Sequence, residues 1–135
     1  MMRNPVDAYR RTSIETSSPA NLVVMLYRGS IRFLRQAIDA IDQKDIEASH
    51  QHLVRAQSIV FELRSALRLD VGPIGESLDA LYDYFLRRLT EANVNKDRQA
   101  ASEVMEMLES LLDAWETALK SPECAQVTTE TKDIG

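Results

Sequence analysis

The sequence predicts an all-α fold, an antiparallel up-down-up-down four-helix bundle, on three observations. Apolar residues recur with the helical period through four stretches of roughly 20 residues each. Short polar connectors separate the stretches, so consecutive helices lie antiparallel. No run alternates like a half-buried strand, and only 4 Gly and 4 Pro interrupt the 135 residues. The bundle is expected over 18–120, with a polar N-terminal arm at 1–17 and a disordered C-terminal tail at 121–135.

The first helix is expected from about Pro19 to Asp42. Ser18 offers an oxygen to the free N–H groups and Pro19 has its φ preset for a first helical position. Leu22, Leu26, Phe33, Ala37, Val23, Ile41, Leu34, Tyr27, Ile38, Ile31 and Val24 fill an arc of about 200° on a helical wheel. A surface helix packed on one core needs nearer 100°. Something has to cover the remainder.

Gln43-Lys44-Asp45 breaks the chain, with Asp45 a natural N-cap for a second helix over about 46–69. Its main stripe is Ile46, Leu53, Ala56, Ile59, Val60, Leu63 and Leu67. The DVGP segment at 70–73 stops it, joining a glycine to a proline. A third helix, about 74–93, lines up Ile74, Leu78, Leu81, Tyr82, Phe85, Leu89 and Ala92. After the NVNKD connector, a fourth over about 97–120 sets Val104, Met107, Leu108, Leu111, Leu112, Trp115 and Leu119 against a face of acidic residues.

Composition narrows the function. A net charge of −5 argues against sequence-independent nucleic-acid binding, which needs a basic face. The single cysteine, Cys124, closes no internal disulfide and suits a reducing compartment. The N-terminal segment lacks the apolar run of a secretory leader, and no stretch is long and apolar enough for membrane insertion, so a cytoplasmic location is expected.

Reactive constellations are scarce. His50 and His52, the only histidines, point about 200° apart on a helix and cannot share a metal. Glu47-x-x-His50 occurs once and lacks the second copy a di-iron bundle requires. There is no phosphate-cradling glycine loop and no activated-serine motif. No cofactor, metal or enzymatic activity is expected. One rival is a histidine phosphotransfer module, suggested by a loose likeness of His52-Leu53-Val54-Arg55-Ala56 to that family's motif. Such a histidine must be solvent-exposed, whereas His52 falls within the core-side arc of the second helix.

The apolar excess carries the functional argument. Leu22, Met25, Val54, Phe61, Tyr84 and Leu86 lie outside the arcs assigned to core or on their edges. Singly, each such residue is ordinary; together they suggest a groove for a partner's amphipathic helix, or the seam of a homodimer. Tyr9 and Ile14 are apolar points on the polar arm that suit it to lie over such a groove.

The stretch NPVDAYRRTSIETSSPANLVVMLYRGSIRFL resembles the N-terminal signature of the FliS family, the flagellar export chaperones for flagellin. The matching points are Asn4-Pro5, Ala8-Tyr9, Ile14, Thr16, Ser18-Pro19 and Met25-Leu26-Tyr27 with Gly29. KDIEASHQHLVRAQSIVFELRSALRLD and LYDYFLRRLTEANVNKD resemble later segments of the family, so the similarity runs in order over about 4–120. It implies a cytosolic bundle that binds the disordered C-terminal segment of flagellin, prevents premature polymerisation and helps deliver it to the flagellar type III export gate. It also implies that the arm, through Tyr9 and Ile14, covers part of the binding surface in the free protein. Val6 stands where many relatives carry an aromatic, and Asn21 where a Glu would complete a capping box.

Phe61→Asp is expected to weaken flagellin binding while leaving the melting temperature nearly unchanged. Unfolding of the variant in a thermal melt would instead place Phe61 in the core.

Overall fold

The computed structural model describes residues 19–67 and 73–120. Four helices follow in order: α1 (Pro19–Asp42), α2 (Ile46–Ser65), α3 (Pro73–Asn95) and α4 (Arg98–Leu119). The expected arm, with Tyr9 and Ile14, the expected tail and most of the 70–73 stop lie outside the described residues.

Each helix packs on two neighbours. α1 and α3 both contact α2 and α4, which closes a four-membered ring. Polar pairs on the seams give the direction. Along α1 and α4, Arg28 meets Glu116 at 2.7 Å, Arg35 meets Glu109 at 3.8 Å and Asp42 meets Arg98 at 2.8 Å, so one number rises as the other falls. Along α2 and α3, His50 meets Asn93 at 2.9 Å, Gln57 meets Thr90 at 3.0 Å and Arg64 meets Asp79 at 2.8 Å. The bundle is therefore up-down-up-down. Solvated pairs of this kind contribute under about 1 kcal/mol each, so they mark register more than they hold it.

The two described connectors share one construction. At the end of α1, Lys44 takes a left-handed φ of 61°, and the Asp45 and Lys44 amides donate to the Ala40 and Ile41 carbonyls at 2.9 and 3.0 Å. Lys96 does the same after α3 with φ 50°, and the Asp97 amide donates to the Ala92 carbonyl at 2.9 Å. Asp45 and Asp97 then cap the next helices, accepting from Ala48 N at 3.1 Å and from Gln99 N at 2.9 Å. Chain reversal and helix initiation are thus packed into three residues, 43–45, in the first connector and two, 96–97, in the second.

α1 answers its own excess. Val24, Leu26, Tyr27, Gly29, Ser30, Ile31, Phe33, Leu34, Ala37, Ile38 and Ala40 are all buried, because α2 and α4 flank the helix on both sides. Gly29, Ser30, Ala37 and Ala40 keep the surface low and let α2 approach in the most extensive of the four contacts. The buried Ser30 hydroxyl donates to the Tyr27 carbonyl at 2.8 Å and leaves no orphan group. The sequence-based expectation that α1 leaves half its apolar arc for a guest is corrected here: its own bundle covers most of that arc, of which only Leu22, Val23 and Ile41 remain half-buried.

The opposite pair of the ring is tied through the core. Tyr27 of α1 and Tyr82 of α3, both essentially inaccessible, share a hydrogen bond between their hydroxyls. Trp115 of α4 packs against Tyr27, their rings lying 6.5 Å apart. Burial is the main force pushing both phenols above the ordinary tyrosine range.

Tyr27→Phe should cost about 1–3 kcal/mol, since it strands the buried Tyr82 hydroxyl, whereas Tyr27→Phe/Tyr82→Phe should cost less than the two single changes summed. Because the folded state holds these protons more tightly than the unfolded chain, the stability linked to them is complete below pH of about 10 and falls as pH rises past it. Thermal melts from neutral to alkaline pH check both: the double variant loses less stability above that point than the wild type.

Candidate functional site

The seam between α3 and α4 changes character along its length. At one end it is zipped by polar side chains. Tyr84 donates to Glu103 Oε1 at 2.5 Å, Arg88 Nε donates to Glu103 Oε2 at 3.3 Å, and Arg88 Nη1 reaches Glu91 at 2.6 Å. The Glu103 carboxylate holds the Tyr84 phenol above its usual range, and the hydrogen bond to Glu91 leads the causes that raise Arg88. Leu89 and Ala92 of α3 and Ala100, Ala101, Val104 and Leu108 of α4 are buried on this half of the bundle.

Toward the other end the seam opens. None of the residues of α4 beyond Leu108 is fully buried, and Leu78 and Leu81 of α3 are only half-buried. Between them lies a cleft of about 370 Å³ lined by Ile74, Ser77, Leu78, Leu81, Leu111, Ala114, Trp115 and Ala118. Ser77, Ala114 and Ala118 are the small residues that leave it a trough, while Ile74 at its rim is 70 % exposed. Trp115 connects the cleft to the core through Tyr27. With a serine as its only polar lining residue, the cleft suits apolar side chains presented by a helix or an extended segment. It offers nothing with which to orient a reacting group.

The six sequence-derived candidates do not meet in one groove. Val54 and Phe61 stand on the outer face of α2, and Phe61 is 61 % exposed. Leu86 is half-buried against the core, on the side of α3 that faces α2, since Asp83 and Thr90 on the same stripe bond Arg64 and Gln57. Tyr84 belongs to the α3/α4 zipper. Met25 lies at the α1/α4 seam, beside Arg28, Glu116 and Leu119, and Leu22 is half-buried in the first turns of α1. The structure thus distributes these residues over several faces.

Sequence reasoning missed the cleft because periodicity assigned Ile74, Leu78, Leu81, Leu111 and Trp115 to core stripes. The available signal was the small set Ser77, Ala114 and Ala118 facing large aliphatics, together with an apolar arc on α4 of about 180°. Ile46 was likewise assigned to the stripe of α2 yet is 67 % exposed, one residue past its cap.

His52 takes the place its wheel position indicated. It is half-buried, its ring stacks on Phe33 at 6.4 Å, and its Nδ1 is closed off without a hydrogen-bond partner. The Arg32 and Arg55 guanidinium groups lie 5.6 and 5.7 Å from the centre of the same Phe33 ring. Packing accounts for this histidine. Among the described residues no helix is long and apolar enough to cross a membrane.

The chain is a four-helix bundle with an apolar trough along one seam, and comparison with known proteins gives its family. The profile of the family described as flagellar protein FliS matches residues 2–122. The flagellar secretion chaperone FliS of Bacillus subtilis is 37% identical over 120 residues, covering 89% of this chain and 90% of that protein. Its namesake in Vibrio cholerae is 34% identical, covering 85% and 88%. A solved structure described as a flagellar chaperone from bacteria superposes with a TM-score of 0.71, covering 84% of this chain and 96% of that one; at 22% identity it speaks to the fold. The chain belongs to the FliS family of flagellar secretion chaperones.

Proposed function

We propose that the protein binds the disordered C-terminal segment of flagellin in the cytoplasm, keeps it from polymerising early and presents it to a component of the flagellar export gate. The observation that carries this reading is the open half of the α3/α4 seam. A cleft with Ile74 left 70 % exposed at its rim offers the surface an unfolded apolar segment needs. The guest arrives unfolded and orders on contact. Ordering costs several kcal/mol and is offset by apolar burial at roughly 25 cal/mol per Å².

The spread of the other candidates fits a guest that wraps. A segment seated between α3 and α4 reaches Tyr84 along the seam, and its continuation around the bundle meets Leu86, Phe61 and Val54 on one side or Met25 and Leu22 on the other. Family membership supports the substrate class, since the relatives are named as flagellar secretion chaperones. The role requires no catalytic group. In the guest-free chain the arm, anchored by Tyr9 and Ile14, covers part of this surface.

Co-expression with full-length flagellin should yield a stable complex, and flagellin lacking its C-terminal segment should yield none; equal recovery of both contradicts the proposal. Ala114→Arg, at an exposed cleft position, should weaken binding at least about tenfold, near 1.4 kcal/mol, while shifting stability by no more than about 0.5 kcal/mol. Deleting residues 1–17 should tighten binding or speed it, as read by surface plasmon resonance, whereas a clear loss of affinity makes the arm a contributor of contacts.

A further inference from the structure

Arg55 of α2 is out of keeping with most of the other arginines. Arg28, Arg35, Arg64, Arg87, Arg88 and Arg98 each pair with a carboxylate, in a chain where Asp and Glu outnumber Lys and Arg 21 to 16. Among the described residues Arg55 pairs with none. Its guanidinium lies 5.7 Å from the centre of the Phe33 ring, and the Arg32 guanidinium of α1 lies 5.6 Å from the centre of the same ring. The positions one helical turn away supply no acid to either. They are Arg28, Gly29, Arg35 and Gln36 around Arg32, and Gln51, His52, Ser58 and Ile59 around Arg55. A single guanidinium over an exposed aromatic contributes on the order of 0.5–1 kcal/mol, but a second one adds repulsion between like charges. Phe33 alone does not explain both. The ring is buried and stacked on His52, which fixes it in place, while both arginine side chains are exposed. Their forks can therefore turn together onto the two oxygens of one carboxylate.

We propose that Arg55, together with Arg32, receives an acidic side chain of the guest where that segment crosses the α1/α2 seam, and so fixes its register on the bundle. This rests on the reading that the guest is the C-terminal segment of flagellin. Position selects the occupant. Going round the bundle, the exposed stripe of Val54 and Phe61 on α2 lies to one side of the arginine pair, and Met25 at the α1/α4 seam lies to the other. A segment that wraps from one to the other passes over both cations. A wholly apolar segment would bury them unpaired, at a cost of several kcal/mol, whereas a carboxylate set beside an apolar residue satisfies them. The chain's own arm does not suit the site, since 1–17 carries Arg3, Arg10 and Arg11 against Asp7 and Glu15. Apolar contacts tolerate sliding; a forked ion pair at one point of the path does not.

The test titrates the full chain with a peptide of the flagellin C-terminal segment, and with the same peptide in which every Asp is changed to Asn and every Glu to Gln. Arg55→Glu should weaken binding of the native peptide about tenfold and Arg55→Gln several-fold, with melting temperatures shifted by no more than about 2 °C. Arg55→Lys keeps the charge and loses the fork, so its affinity should fall between Arg55→Gln and the wild type. The amide peptide should bind the wild type more weakly, and Arg55→Glu should weaken it little further. Unchanged binding of the native peptide by Arg55→Glu overturns the proposal. So does tighter binding, the result expected if an acidic stretch of the chain's own tail occupied the site, and so does an equal loss with both peptides. Weaker binding of Ala114→Arg beside unchanged binding of Arg55→Glu overturns the Arg55 site and leaves the guest's identity standing; no binding of either peptide by the wild type overturns both.

Discussion

Burial of α1 on both flanks is the constraint from which the rest of the molecule follows. Small residues on one side of that helix bring α2 in close, and α4 closes the other side with Arg28, Arg35 and Asp42 in register against Glu116, Glu109 and Arg98. α3 completes the ring from across the core, tied to α1 by the Tyr27–Tyr82 pair. Its contact with α4 is the slimmest of the four seams. Where Glu103 stops bridging that seam to Tyr84 and Arg88, the apolar lining is left open to solvent.

The two apolar features serve different purposes in this account. The cleft is a trough between helices, deep enough to receive side chains, and continuous with the core through Trp115. The α2 stripe is an exposed ridge, with Val54 41 % and Phe61 61 % accessible on the outer face of the helix.

Periodicity and capping chemistry made most of the fold legible. α1 runs from Pro19 to Asp42 as expected, and Asp45 caps α2 as its side-chain chemistry predicts. α2 stops earlier than about 69: the Ala66 amide still reaches the Glu62 carbonyl at 3.1 Å, but the Leu67 amide closes on Arg64 in a tightened last turn. Exposure was less legible, because a stripe identifies the face of a helix and not how far its neighbour extends. Ile46 and Ile74 have the right phase but stand in first turns where no neighbour covers them, and Val94 near the end of α3 is 77 % exposed. The same limit hid the cleft, and it made α1 look more in need of a guest than it is.

The central claim is that an unfolded guest orders itself in the open half of the α3/α4 seam. Hydrogen–deuterium exchange on the protein with and without a peptide of the flagellin C-terminal segment tests it most directly. The account predicts new protection of amides at 74–81 and 111–118, the stretches that line the cleft. Formation of the complex with those two stretches exchanging as they do in the free protein would contradict it.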